Sequence, residues 1–335
     1  MNSKILAILI TTHNSHNFIE KLLNNIKRLT DFSSKWIDIY IYDDNSQDDT
    51  LEIIDNYIIN NKDMNIKVIK NNLNQGVVLA RINLLKRIND DYAIFIDQDD
   101  WLDQNTLLEF KNNYKNSDFL LMKRKFIFKE TNLVFDKWYK DKGSEIKNFM
   151  THIFATYATG VFWSREIYNL IISKIDISES KNIYIYEDFP FYFVSIIFAK
   201  NPIFLNCYYN YNQLNEESLL KKDSLIKTKN DTLKVLDLIN KIYLSLDKEK
   251  KNEIKVKDYF YVINIRLLLF YNQVLFKKQD KKEFKKIREH YLSIANKRKR
   301  IELDLNHRII EQIIKSRFLQ QSWKFYKKYI KKKWN

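Results

Sequence analysis

Tyr92-Ala93-Ile94-Phe95-Ile96-Asp97-Gln98-Asp99-Asp100 decides the fold of this 335-residue chain. Five apolar residues in succession end abruptly in three carboxylates within four positions. A short apolar run bounded by polar groups reads as a strand buried on both faces, the kind found inside a parallel sheet. Toward the N-terminus the same unit recurs. Residues 66–69 predict a strand and 77–88 a helix, residues 37–42 a strand and about 49–59 a helix. Residues 5–10 predict the first strand; after it Phe18, Ile19, Leu22, Leu23, Ile26 and Leu29 fall at helical spacing. Strand and helix alternating at this interval mean βαβ units and a mostly parallel sheet.

In such sheets ligands bind beyond the carboxyl ends of the strands. Polar residues stand at those ends: Thr11-Thr12-His13-Asn14 after the first strand, Asp43-Asp44-Asn45-Ser46 after the second, and the Asp97 cluster after the fourth. Three such clusters at three strand ends face one crevice and predict a site. Carboxylates as close as Asp97, Asp99 and Asp100 repel unless a cation or hydrogen-bond donors compensate them. Oxygen ligands suit Mg²⁺ or Mn²⁺, with a diphosphate completing the shell. Aspartates capping the helix expected near Gln104 fit the same spacing, and both explanations stand at this point. Asp43 or Asp44 suits hydrogen bonds from a base or ribose, while Ser46 or Asp48 suits a helix cap. Glu187-Asp188 has the chemistry of a general base beside Phe189, Phe191 and Tyr192; it equally suits a helix start with Pro190 in the first turn.

Composition excludes several classes. Phe, Tyr and Trp number 22, 21 and 6, too many large apolar groups for a disordered chain. Cys207 is the sole cysteine, which excludes a disulfide scaffold and a Cys/His zinc site, and fits a reducing compartment. No stretch reaches the roughly 18 uninterrupted apolar residues of a membrane span. The N-terminal apolar stretch runs straight into Thr11 without a small-residue cleavage site, so it reads as a strand rather than a signal peptide. Neither Gly-x-Gly-x-x-Gly nor a P-loop occurs, which weighs against dinucleotide oxidoreductases and P-loop NTPases.

The net charge of +15 is uneven. From Lys241 onward 27 Lys and Arg stand against 10 Asp and Glu, so the first 240 residues carry about −2. The basic character belongs to the C-terminal third, where only helical periods occur from about Ser224. Within residues 318–334, Trp323, Tyr326, Ile330 and Trp334 fall at helical spacing among lysines. Aromatics and lysines so arranged predict an interfacial helix on an anionic membrane, with a helix packed on the domain as the alternative. No nucleic-acid partner is expected, because no binding motif accompanies the charge.

Taken in order, the motifs over about residues 4–200 resemble the family 2 glycosyltransferases of GT-A fold. Ile8-Leu9-Ile10-Thr11-Thr12-His13-Asn14 is similar to that family's opening strand and Pro-Thr-Tyr-Asn turn, with Thr11 and His13 in the Pro and Tyr positions. Asp43-Asp44-Asn45-Ser46-Gln47-Asp48-Asp49-Thr50 resembles its Asp-Asp-x-Ser-x-Asp-x-Thr segment. Asn74-Gln75-Gly76 and Ala80-Arg81 resemble its Asn-x-Gly and Ala-Arg-Asn stretch, with Ile82 in place of the Asn. Asp97-Gln98-Asp99 resembles the DxD motif, and Glu187-Asp188 the acceptor-side Glu-Asp pair.

The resemblance implies a GT-A, Rossmann-like mostly parallel sheet over residues 1–220, followed by a helical basic region over 221–335. The nucleotide-sugar half runs to about residue 103 and the acceptor half over about 104–220. It further implies that Thr11, His13, Asp43, Asp44, Arg81, Asp97 and Gln98 surround the nucleotide-sugar, and that Asp99 with Asp97 holds Mn²⁺ or Mg²⁺ on the diphosphate. Asp188 is then the base that deprotonates the acceptor, supported by Glu187, and Trp101, Trp163 and Tyr186 are the sugar-stacking candidates. The processive Gln-x-x-Arg-Trp motif is missing, so one sugar per encounter is expected, from a UDP-sugar to a glycan or lipid-linked acceptor of the bacterial surface. The expected location is the inner face of the membrane, peripherally bound from the cytoplasm. A nucleotidyltransferase using the same crevice, and a non-catalytic membrane adaptor, are the competing readings.

Overall fold

The computed structural model describes residues 4–30, 35–127, 132–134, 157–184, 186–212, 225–253 and 256. The chain divides into compact units Met1–Val274 and Leu275–Asn335. The second unit lies outside the described residues, as do the segment 257–274 and the basic helix expected over 318–334. Among the described residues no helix is long and apolar enough to cross a membrane.

The first unit opens with β1 (Leu6–Thr12), α1 (Ile19–Leu29), β2 (Ile37–Asp43), α2 (Thr50–Asn60), β3 (Ile66–Lys70), α3 (Val77–Leu85) and β4 (Tyr92–Asp97). All four strands expected from the sequence form, within two residues at each end. They pair in parallel in the order β3-β2-β1-β4. The next elements are β5 (Trp101–Leu102), α4 (Thr106–Asn113), β6 (Phe119–Ile127), β7 (Asn132–Val134), β8 (Val161–Ser164) and α5 (Arg165–Lys174). Then come α6 (Asp188–Phe198), β9 (Pro202–Asn212), α7 (Leu225–Ser245) and α8 (Lys248–Asn252). Beyond β4 the sheet turns mixed: β8 runs antiparallel to β4 and to β6, β9 lies parallel to β6, and β5 pairs antiparallel with β9.

Alternation along each strand sorts the core into two layers. Leu6, Ile8 and Ile10, with Tyr92, Ile94 and Ile96, face a layer built by α1, α2 and α4, whose Leu22, Leu23, Ile26, Ile54 and Phe110 are buried. Residues of the opposite parity, Phe95, Phe119 and Trp163, face α6: Phe95 meets Phe191 edge-on at 6.2 Å, and Phe119 lies 6.0 Å from Tyr192. The α3 helix, buried along nearly its whole length, belongs to this layer and packs on α5. Parity therefore decides which chemistry meets which helix. Asp97 shares the parity of Phe95 and points toward the α3 and α6 side.

Candidate active site

The carboxyl ends of the central strands lie level. Thr11 is in register with both Tyr42 and Asp97, and Thr12 with Asp43. The chain after β1 is held by side chains from neighbouring strand ends. His13 N–H donates to Gln98 Oε1 at 3.1 Å, Asn14 N–H to Ser46 Oγ at 2.9 Å, and Ser15 N–H to Thr50 Oγ1 at 2.6 Å. Asn14 and Asn45 adopt left-handed backbone conformations, φ 51° and 66°, which asparagine tolerates better than most residues. Two polar clusters far apart in sequence thus form one rim.

Asp43 and Asp44, expected at the base or ribose, are both buried and already supplied with donors. Asp43 accepts from the backbone N–H and hydroxyl of Ser46. Asp44 accepts from Gln75 N–H, from Gly76 N–H at 2.9 Å and from Asn71 Nδ2 at 3.0 Å. It fastens the 71–76 loop to the end of β2. Gly76 is needed there: its φ is +91°, and a Cβ would come within 3.2 Å of the Ile183 carbonyl. The Gln75 carbonyl in turn accepts Asn182 N–H at 3.0 Å, which ties this loop to the segment leading into Glu187 and Asp188.

At the centre stands Arg81, 1% exposed. Its Nη2 donates to Asp97 Oδ1 at 2.9 Å and its Nη1 to Asp188 Oδ1 at 2.6 Å, with Glu187 Oε1 at 3.9 Å. The ring of Phe95 lies 5.6 Å from the guanidinium carbon. The resemblance puts Arg81 around the base and ribose; the structure instead commits its guanidinium to two carboxylates, because α3 lies over the face of the sheet to which Asp97 and Asp188 both turn. Asp97, Glu187 and Asp188, separated by up to 91 positions in sequence, are gathered around one cation that stays charged at all working pH. Burial, reinforced by the charge of Asp188, raises the Glu187 carboxyl to about 8 against the pull of Arg81. Asp97 is raised to about 6, again by burial first, with Arg81 opposing and Asp188 and Asp99 adding to the rise.

Asp99 is partly exposed beside Asp97, whereas Asp100 is buried and accepts Asn212 N–H at 2.8 Å. Among the described residues no cluster of three or more His, Cys, Asp or Glu is arranged to hold a metal by itself. Asp97 and Asp99 could offer two oxygen ligands to Mg²⁺ or Mn²⁺, were phosphate oxygens and water to provide the rest.

The acceptor-side candidates separate. Trp163 is fully buried, edge-on to Phe95 at 5.3 Å and stacked on Phe191 at 6.3 Å. It is a core residue and cannot stack on a sugar, because β8 lies inside the sheet and turns this side chain under α6. Trp101 is partly exposed on β5 at the rim. Tyr186 sits beside the acid pair with a left-handed backbone, φ 60°, a rare conformation for a bulky residue.

Sequence reasoning missed Tyr209 and Tyr211 of β9. The Tyr209 hydroxyl accepts Asp97 N–H at 3.0 Å, and its ring lies 5.0 Å from the Arg124 guanidinium carbon. The Tyr211 hydroxyl is raised by burial and by the charges of Asp100, Asp97 and Glu187. Nothing local marks them, since β9 reaches the site only through its pairing with β6 and β5.

Residues 7–169 match the family described as glycosyl transferase family 2. A poly(ribitol-phosphate) beta-N-acetylglucosaminyltransferase of Staphylococcus aureus, TarS, is 32% identical over 123 residues, 36% of this chain and 21% of that protein. The match therefore spans about a fifth of the relative's length. The crystal structure of S. aureus TarS 1–349 in complex with UDP-GlcNAc is similar with a TM-score of 0.56 at 18% identity, over 82% of this chain and 73% of that one. The mannosyltransferase PcManGT from Pyrobaculum calidifontis, solved with GDP-Man and Mn²⁺, gives 0.53 at 12% identity, over 84% and 76%. At these identities the two structures speak for the fold.

Proposed function

We propose that the chain is a family 2 glycosyltransferase of GT-A fold, the family that residues 7–169 match, and that it moves one sugar from a nucleotide-sugar, a UDP-sugar first, to a hydroxyl of a glycan or lipid-linked acceptor in cell-surface polymer assembly. The observation that carries this is the Arg81 junction. It joins Asp97, at the end of a central parallel strand where nucleotide ligands bind, to Asp188, on the helix that enters from the acceptor side.

The donor lies across the rim made by Thr11, His13 and Gln98, with Asp43 and Asp44 shaping the loops beneath it. Asp97 faces the sugar or ribose. Asp99, with Asp97, would hold Mg²⁺ or Mn²⁺, which would supply positive charge to the diphosphate oxygens. The acceptor enters beside Trp101 and Tyr186. Its hydroxyl oxygen attacks the anomeric carbon as the bond from that carbon to the diphosphate breaks, and the proton passes to Asp188. A new glycosidic bond of inverted configuration forms and a nucleoside diphosphate leaves. Burial and the charge of Asp188 hold the Glu187 carboxyl toward its protonated form, in which it donates a hydrogen bond to the acceptor. Asp188 serves as the base.

Thermal stabilisation by UDP, GDP, CMP and dTDP, each with and without Mn²⁺, identifies the donor class, since a ligand that binds the native state raises its melting temperature. A manganese-dependent shift with one diphosphate, absent in Asp99→Ala, is expected. Full transfer by Asp99→Ala removes the metal role. Release of pyrophosphate from a nucleoside triphosphate and a sugar phosphate, rather than of a nucleoside diphosphate, replaces the reading with nucleotidyl transfer. The basic C-terminal third supports a peripheral seat on an anionic membrane at its cytoplasmic face; co-sedimentation with anionic but not zwitterionic vesicles is the expected result.

A further inference from the structure

Arg81 makes a contact that donor binding does not require. Among the described residues it supplies the hydrogen bond on the Asp188 carboxylate, 2.6 Å from Oδ1. Asp188 is the first residue of α6 and comes just after the left-handed turn at Tyr186, so its backbone enters the site through a strained corner. The same guanidinium grips Asp97 on β4, and Phe95 backs it from below. A planar guanidinium reaches two carboxylates in fixed directions, whereas an ammonium is a point charge that cannot hold both in the same geometry.

We propose that Arg81 is a positioning residue for the general base. It holds Asp188 by Oδ1 so that Oδ2 is presented to the acceptor hydroxyl, and through Asp97 it sets the separation between donor sugar and base. This rests on Asp188 being the base of a glycosyl transfer. Arg81 is buried, and in this role it acts through the two carboxylates. The prediction differs from that for an arginine that binds nucleotide. A misplacement of about 1 Å between reacting groups lowers the rate by roughly 10²-fold without weakening the binding of either substrate.

Arg81→Ala leaves Asp97 and Asp188 without their cation and is prone to misfold, so Arg81→Lys, which keeps a charge in the same cavity, is the primary variant. We expect kcat to fall about 10- to 100-fold, while the donor KM and the thermal shift by nucleoside diphosphate stay within about 2-fold of wild type. Millimolar guanidinium is expected to restore part of the kcat lost in Arg81→Ala. Unchanged kcat in Arg81→Lys, or a raised donor KM with kcat retained, overturns the proposal and makes Arg81 a donor ligand. Loss of binding and turnover together in Arg81→Lys, with no guanidinium rescue of Arg81→Ala, makes it merely structural and equally overturns it. A wild-type protein that transfers no sugar from any nucleotide-sugar refutes the glycosyltransferase reading itself, and the role of Arg81 with it.

Discussion

Replacing Gly160 with alanine tests whether the floor of the site is as tightly built as its geometry states. Gly160 precedes β8 with φ +65°, and a Cβ on it would stand 2.8 Å from three atoms of Tyr209. Neither side can retreat. The Gly160 N–H donates to the Phe95 carbonyl at 3.2 Å, and its own carbonyl accepts Met122 N–H at 3.1 Å. Tyr209 is fully buried, and its hydroxyl holds Asp97 N–H. The left-handed backbone costs an alanine about 1–2 kcal/mol, and forcing a methyl into a packed core costs about 1–3 kcal/mol more. The expected loss is therefore about 2–5 kcal/mol, or roughly 5–15 °C in Tm for a domain of this size. Urea and thermal melts monitored by circular dichroism measure it. Tyr209→Ala in the same background removes Cγ and Cδ2, two of the three crowded atoms, so the double variant should be less than additive by about 1–3 kcal/mol. A Gly160→Ala protein within about 0.5 kcal/mol of wild type, or strictly additive behaviour, refutes the argument.

Burial and the charge of Asp38 push the Asp90 carboxyl up to about 6, against about 3.9 in the unfolded chain. The folded state thus favours the neutral form, and the contribution of Asp90, complete below pH about 4, is lost as pH rises toward about 6. Asp90→Asn should add up to about 3 kcal/mol at pH 7 and nothing at pH 4; equal gains in urea midpoint at both pH values contradict this. Cys207 is buried, and burial drives its thiol up to about 12. A disulfide reagent at pH 8 should therefore label it only in denaturant, and stoichiometric labelling of the native protein would be the contrary result. Trp163→Ala should lose about 3–5 kcal/mol of stability, whereas Trp163→Phe should leave the acceptor KM unchanged. An acceptor KM raised several-fold in a stable Trp163→Phe would return this residue to the binding surface.

Local signals carried the first hundred residues. Apolar runs at residues 5–10, 37–42, 66–69 and 92–96, separated by helical periods, predict βαβ units because strand and helix periods are properties of neighbouring residues. The polar clusters after β1, β2 and β4 predict a crevice because parallel strands bring their carboxyl ends to one edge. That reasoning, with the family resemblance added, named Asp97, Asp99 and Asp188 as candidates, and the structure brings Asp97 and Asp188 together on Arg81. Sequence reasoning did not show that Asp43 and Asp44 are already supplied with donors, by Ser46 and by the 71–76 loop.

Strand order past β4 was decided by tertiary structure alone. Periodicity states that a segment is a strand and which residues share a face, but not which strand lies beside it. The antiparallel insertion of β8 and the return of β9 beside β6 bury Trp163, lay the Tyr209 ring against Gly160 and carry its hydroxyl to Asp97. The partners of Arg81 belong to the same class, since 107 positions separate it from Asp188. Sequence by itself determined the elements, their faces and the chemical types at the strand ends. Which carboxylate meets which cation was left to the packing of α3 and α6 on one face of the sheet, because such pairings depend on lateral order and burial, and neither is encoded in any short stretch of chain.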